Sequence, residues 1–184
     1  MKKILLLGST GSIGLSTLEI VRSMPDQFEI VGLGVNNNID KLEEQIKEFR
    51  PKSVVVTNKK NAEELKSKIK DSCDIYSGNE GLIEITRHTD YDILLSAIVG
   101  FAGLTPTIEA IKRNKKIALA NKETLVVAGE LIKNLCDEYK TELIPVDSEH
   151  SAIFQSIVGE EVNFINKLIL TASGGPFLNK SKEE

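Results

Sequence analysis

The stretch KKILLLGSTGSIGLSTLEIV, Lys2 to Val21, decides the fold. Its apolar run, KILLLG, has the length of a strand and is too continuous for a half-exposed one, which suits a parallel sheet covered on both faces. The glycine-rich turn GSTGSIG, Gly8 to Gly14, follows at once, and SIGLSTLEIVRSM continues at helical period. A strand, a tight glycine turn and a helix in direct succession open a βαβ unit.

The rest of the chain repeats that alternation. FEIVGLGV, SVVVT, DILLSAIVG, KIALA, TELIPVD and INKLILTAS read as further strands, with IDKLEEQIKEF, NAEELKSKIK, TPTIEAIKRN and ETLVVAGELIKNLCDEYK as helices among them. The expected fold is α/β, a doubly wound, mostly parallel Rossmann-like sheet. There is no internal repeat, low-complexity tract or Pro/Gly/Ser linker. The boundary signal falls near Pro145, giving one domain over residues 1–145 and the beginning of a second over 146–184.

A chain of 184 residues can bury a proper core. Its net charge of -4, with Lys and Arg scattered, gives no electrostatic footprint for nucleic acid, so a phosphate has to be bound locally. Cys73 and Cys136 are far apart and lack CxxC spacing, which argues against zinc and a disulfide framework and fits a reducing cytoplasm. The apolar run after the first lysines stops at a glycine turn, unlike a signal peptide, and no segment approaches the roughly 18 apolar residues of a membrane span.

Three polar clusters sit where strands end, the side of an open α/β sheet on which ligands bind. At GSTGSIG, glycine permits close backbone approach, and free N–H groups with the helix dipole favour an anion such as a dinucleotide pyrophosphate; an ordinary tight βα turn is the competing reading. The spacing is GxxGxxG rather than GxGxxG. The second strand ends in Asn36, Asn37 and Asn38, where an Asp or Glu would select NAD; the missing acid leans towards NADP, although an Asn run is also turn chemistry. KIALA runs into Asn121, Lys122 and Glu123. Lys122 suits a phosphate or hydroxyl and Asn121 a nicotinamide amide, unless Asn121 caps a helix whose dipole Glu123 favours.

VDSEHSAIFQ, Val146 to Gln155, carries the sharpest alternative. If the strand continues through it, Asp147 and Glu149 share a face with Ser148 opposite. Two neighbouring carboxylates then need a cation between them, and their hard oxygens suit Mg²⁺ or Mn²⁺. If a helix starts here, Asp147 is a cap and the acids diverge. His150 is the least informative member. LILTASGGPF, Leu168 to Phe177, then offers Ser173 beside a double-glycine turn as a phosphate contact.

GSTGSIG, ANKE, PVDSEHSAIFQ and ASGGPF, in this order and at these intervals, resemble the 1-deoxy-D-xylulose 5-phosphate reductoisomerase family over essentially Ile4 to Phe177. The resemblance implies an NADPH- and divalent-metal-dependent reductoisomerase of non-mevalonate isoprenoid biosynthesis, bacterial and cytoplasmic, acting on a small sugar phosphate and dimeric when full length. It implies that Thr10, Gly11, Ser12 and Ile13 hold the cofactor's pyrophosphate region, with Asn36 to Asn38 near the ribose 2′-phosphate and Asn121 and Glu123 also contacting cofactor. Lys122 and Ser148 would contact substrate, and Ser173 its phosphate. Asp147 and Glu149 would hold the metal, Glu149 also touching substrate; with Lys122 these two form the expected catalytic set. Many relatives carry a basic or glycine-containing tip where this chain has Asn36 and Asn37. The family's third metal-binding carboxylate is expected beyond residue 184, so this chain reads as an N-terminal portion that binds cofactor without turnover. Two readings compete: another NADP oxidoreductase, such as a semialdehyde or homoserine dehydrogenase, or a nucleotide-binding module only.

Overall fold

The computed structural model describes residues 1–69, 72–170 and 180–181. They fall into two compact units, Met1–Ile144 and Pro145–Glu184. In the first, strands β1 (Lys2–Leu7), β2 (Phe28–Val35), β3 (Ser53–Val56), β4 (Asp74–Ser77), β5 (Ile93–Ser96), β6 (Lys116–Leu119) and β7 (Leu143–Pro145) alternate with helices. The helices are α1 (Ser12–Ser23), α2 (Ile39–Phe49), α3 (Lys59–Ile69), α4 (Gly78–His88), α5 (Leu104–Lys112) and α6 (Lys122–Tyr139). The strands form one sheet in the order β4-β3-β2-β1-β5-β6-β7. All pairings from β4 through β6 are parallel.

Pleating of β1 sorts its continuous apolar run onto two faces. Ile4 and Leu6 join a core with Leu18 and Val21 of α1, Leu42 and Ile46 of α2 and Leu65 of α3. Leu5 and Leu7 join the opposite core, built with Leu82 and Ile85 of α4, Ala110 and Ile111 of α5 and Ile132 of α6. The sheet is thus covered on both sides, and the doubly wound expectation holds. Strand order reverses between β1 and β5, so the crevice at the switch point opens beside the turn that follows β1.

Four local departures from the sequence reading have physical causes. β4 and α4 carry little periodic signal: DIYS is a four-residue edge strand, and α4 starts at Gly78 with φ +74, an unusual helix opening. TELIPVD is strand only over Leu143–Pro145, because Pro145 has no N–H to continue a ladder and Asp147 then caps helix α7 (Ser148–Ile157). INKLILTAS shows no strand over 165–170, where Leu168, Ile169 and Leu170 are exposed; an apolar run becomes a strand only if a neighbour completes its ladder. Helix α6 is also broken at Ala128, whose backbone leaves helical angles just before Gly129.

Candidate functional site

The turn after β1 is held tightly against its surroundings. Gly8 has φ +97, and a Cβ there would lie 2.4 Å from the Ala97 carbonyl oxygen at the end of β5. A Cβ on Gly14 would lie 2.3 Å from the Gly8 carbonyl oxygen, so α1 starts as close to β1 as backbone allows. Ser9 is fully buried. Its Oγ donates to Gln45 Oε1 at 2.7 Å, and Gln45 Nε2 donates back to the Ser9 carbonyl at 3.0 Å, tying the turn to α2.

Helix α1 begins at Gly11 with no side-chain cap and no acid in its first turn. Helices α2, α6 and α7 are capped by Asn38, Asn121 and Asp147, while α5, like α1, has neither a side-chain cap nor an acid in its first turn. The first N–H groups of α1, around Ser12 and Ile13, are therefore left to an anion, and the helix dipole favours one. The turn that leads into them lines a cleft of about 410 Å³ through Gly8, Thr10 and Gly11, together with Asn36, Thr57 and Asn79 and with Ala97 to Val99 on the β5 side. The residues present fit a dinucleotide: a glycine cradle, free donors and an apolar wall meet at the switch point.

The asparagine tip is knitted to the end of β3. Thr57 Oγ1 donates to Asn36 Oδ1 at 2.7 Å, Asn58 Nδ2 donates to Asn37 Oδ1 at 2.9 Å, and Asn38 Oδ1 accepts from the Lys41 N–H. Asn36 lines the cleft and is exposed.

Asn121 is buried at 3% exposure and caps α6, with Oδ1 accepting from the Thr124 N–H at 3.0 Å and from the Thr124 hydroxyl. Its Nδ2 donates to the carbonyls of Ile98 and, at 2.7 Å, Gly100. The capping reading is what the geometry shows, and both ends of the amide are committed to holding the Ile98–Gly100 loop against the cleft. Ser96 Oγ lies buried nearby, unpartnered among the described residues. Lys122 is exposed and Glu123 half-buried in the first turn of α6.

In the second unit, Asp147 Oδ2 accepts from the His150 N–H at 3.1 Å and contacts His150 Nδ1 at 2.6 Å. Burial raises the Asp147 pKa, but the two His150 interactions outweigh it and hold the carboxyl below the ordinary aspartate value. Of the two alternatives for this stretch the helical one holds: Asp147 caps α7, Ser148 and Glu149 lie in its first turn, and Ser148 Oγ donates to Glu149 Oε2 at 2.9 Å. The cap uses Oδ2 and leaves Oδ1 outside it. Asp147 and Glu149 carry hard carboxylate oxygens, the donor type Mg²⁺ takes, but on a helix start rather than on one face of a strand. No group of three or more potential metal-binding His, Cys, Asp or Glu occurs among the described residues. Ser173 lies outside the described residues. The described helices include none long and apolar enough to cross a membrane. Sequence reasoning missed Thr57, on the connection between β3 and α3, and Asn79, in the first turn of α4 just after the unrecognised β4.

A doubly wound sheet with an uncapped glycine turn at its switch point defines a Rossmann-type α/β protein. Comparison with known proteins narrows this. Residues 4–129 match the family model for 1-deoxy-D-xylulose 5-phosphate reductoisomerase, and residues 143–184 match that for its C-terminal domain. The chain belongs to the 1-deoxy-D-xylulose 5-phosphate reductoisomerase family. It is 53% identical to the 1-deoxy-D-xylulose 5-phosphate reductoisomerase of Chloroherpeton thalassium over 96% of this chain and 46% of that protein. Among solved structures, the Zymomonas mobilis enzyme in complex with NADPH superposes with a TM-score of 0.89 at 38% identity, covering 98% of this chain and 48% of that one. A DOX-P reductoisomerase in complex with NADPH, fosmidomycin and magnesium gives 0.87 at 39% identity, covering 100% and 48%. The chain therefore spans about half the length of the relatives it matches.

Proposed function

We propose that these residues belong to an enzyme that converts 1-deoxy-D-xylulose 5-phosphate to 2-C-methyl-D-erythritol 4-phosphate, using NADPH and Mg²⁺ or Mn²⁺, in non-mevalonate isoprenoid biosynthesis. The observation that carries the reading is the α1 N-terminus, left without cap or acid at a glycine cradle on the cleft, in a chain of this family. NADPH supplies hydride and the divalent ion supplies electrophilic polarisation of the hydroxyketone oxygens.

The chain's own residues do the holding. N–H groups at Ser12 and Ile13, with Thr10 and Gly11, bind the pyrophosphate region, and Asn36 to Asn38 border the adenosine ribose. Asn121 acts by fixing the Ile98–Gly100 loop, which forms one wall of the cleft, while Glu123 faces the cofactor from the first turn of α6. Lys122 provides a positive charge for substrate. Asp147 and Glu149 provide carboxylate oxygens for the ion, and Ser148 and Ser173 hydroxyls for the sugar phosphate. The domain assignment follows: residues 1–145 bind cofactor and 146–184 open the catalytic domain. In the complete enzyme we take the assembly to be a cytoplasmic homodimer.

The test is to supply the complete enzyme with 1-deoxy-D-xylulose 5-phosphate, NADPH and Mg²⁺ and to follow the carbon skeleton as well as NADPH. Branched product formed with NADPH consumption supports the reading; reduction without rearrangement points to an ordinary oxidoreductase. The 184-residue polypeptide by itself binds NADPH and leaves it unoxidised, because Asp147 and Glu149 are two carboxylates where Mg²⁺ needs further ligands to give up water.

A further inference from the structure

The β2 tip carries no cation: from Phe28 to Asn38 there is neither Lys nor Arg. It is nevertheless bound to its neighbour through several hydrogen bonds. Besides the Thr57–Asn36 and Asn58–Asn37 contacts, the Asn58 N–H donates to the Asn36 carbonyl at 3.1 Å and Asn61 Nδ2 to the Asn37 carbonyl at 2.9 Å. Asn58 also caps α3, its Oδ1 accepting from the Asn61 N–H at 3.2 Å. The residue this arrangement presents first is Lys59. Its stem crosses Gly78, where a Cβ would lie 2.7 Å from Lys59 Cε, and its Nζ stands 3.9 Å from Glu80 Oε2. Thr57 and Asn79, on either side of that crossing in sequence, both line the cleft with Asn36.

We propose that Lys59 is the cation that reads the 2′-phosphate of NADPH, supplied from β3–α3 in place of a basic residue on the β2 tip, with Glu80 as its counter-charge in the absence of cofactor. The inference rests on the cofactor reading above. Gly78 is glycine for its own backbone, φ +74, and the lysine stem uses the space its missing Cβ leaves. A phosphate carries more charge than the carboxylate it replaces and draws the flexible ammonium across; a bare ribose hydroxyl does not.

The experiment is a fluorescence titration of NADPH and of NADH against the wild-type protein and against Lys59→Ala, Lys59→Arg, Lys60→Ala and Glu80→Gln. Lys59→Ala should weaken NADPH binding about tenfold, the scale of one hydrogen bond between charged partners, and leave NADH binding within about twofold. Lys59→Arg should keep the preference for NADPH. Lys60→Ala, with the same change in net charge, should change neither affinity, and Glu80→Gln should tighten NADPH alone. Unchanged NADPH affinity in Lys59→Ala, an equal loss in Lys60→Ala, or a selective loss of NADH binding in Glu80→Gln would overturn the assignment while leaving the cofactor site standing. Failure of the wild type to bind either dinucleotide would overturn both.

Discussion

Tyr91 gives a quantitative test of how the α4–α6 side of the sheet is built. Its side chain is fully buried, and its hydroxyl has no hydrogen-bond partner among the described residues. The Arg113 guanidinium lies 5.2 Å from the ring centroid but donates to the carbonyls of Thr86 and Thr89. Burial pushes the phenol pKa from 10.0 up to about 12, and the Arg113 charge opposes this only in part. An acid whose folded pKa is raised keeps its proton in the folded state after the unfolded chain has released it, so stability falls as pH rises from about 10 to about 12. A rise from 10.0 to about 12 corresponds to about 2.7 kcal/mol, of which about 2 kcal/mol is lost by about pH 11.5 and none at neutral pH. Tyr91→Phe removes both the ionisable group and an unpaired buried hydroxyl, so it should equal or exceed wild-type stability near neutral pH. Urea unfolding of both proteins across that range should show the variant's advantage growing by about 2 kcal/mol. A gap that stays constant with pH, or a phenolate absorbance titration in which all three tyrosines ionise together near the ordinary value, would refute the reasoning.

In the complete enzyme, Asp147→Asn should abolish turnover at saturating metal while leaving folding and NADPH binding intact, since Asn caps a helix as well as Asp does; Asp147→Ala should in addition cost about 1 kcal/mol in denaturant unfolding. Wild-type turnover in the Asn variant would leave the residue only its cap. Gly14→Ala places a Cβ 2.3 Å from one backbone atom and 2.7 Å from the next, so it should destabilise by about 1–3 kcal/mol and weaken NADPH binding, both read from ligand-dependent melting. Asn121→Ala loses the α6 cap and orphans two carbonyls at a cost of about 2–4 kcal/mol. Asn121→Asp keeps the cap but cannot donate, so it should stand between wild type and Ala in stability and still weaken cofactor binding.

The sequence carried the sheet where signals were redundant. β1, its glycine turn and α1 each point the same way, and the apolar runs of β2, β3, β5 and β6 alternate with helices as a covered sheet requires. β4 and α4 were not legible, because an edge strand with two outward positions and a helix opened by a left-handed glycine lack the usual pattern and cap. Asn121 and Asp147 were ambiguous for a chemical reason: the groups that bind amides and cations also accept helix N–H bonds, and only coordinates show which lone pairs are taken. The apolar run at 165–170 was over-read, since hydrophobicity records an appetite for burial without naming the surface that meets it. Lys59 left no trace in the motifs because what brings it beside Gly78 and Glu80 is the pairing of β3 with β4, which no local pattern records.

The strand order also sets when each edge of β1 is covered during synthesis. β1 meets β2 almost at once, Lys2 pairing with Phe28, but its other edge waits for β5, where Ile4 pairs with Ile93 and the Lys3 N–H finds the Asp92 carboxylate 89 residues later. At about 5–20 residues per second of translation, that edge and the Leu5 and Leu7 face stay unshielded on the ribosome for about 5–20 s. Every helix that covers this face is encoded after β4. A nascent chain arrested in that interval presents a half-covered sheet with an open parallel edge, the kind of surface a holding chaperone engages. β1, made well before the helices that cover it, is therefore among the last of these strands to be enclosed.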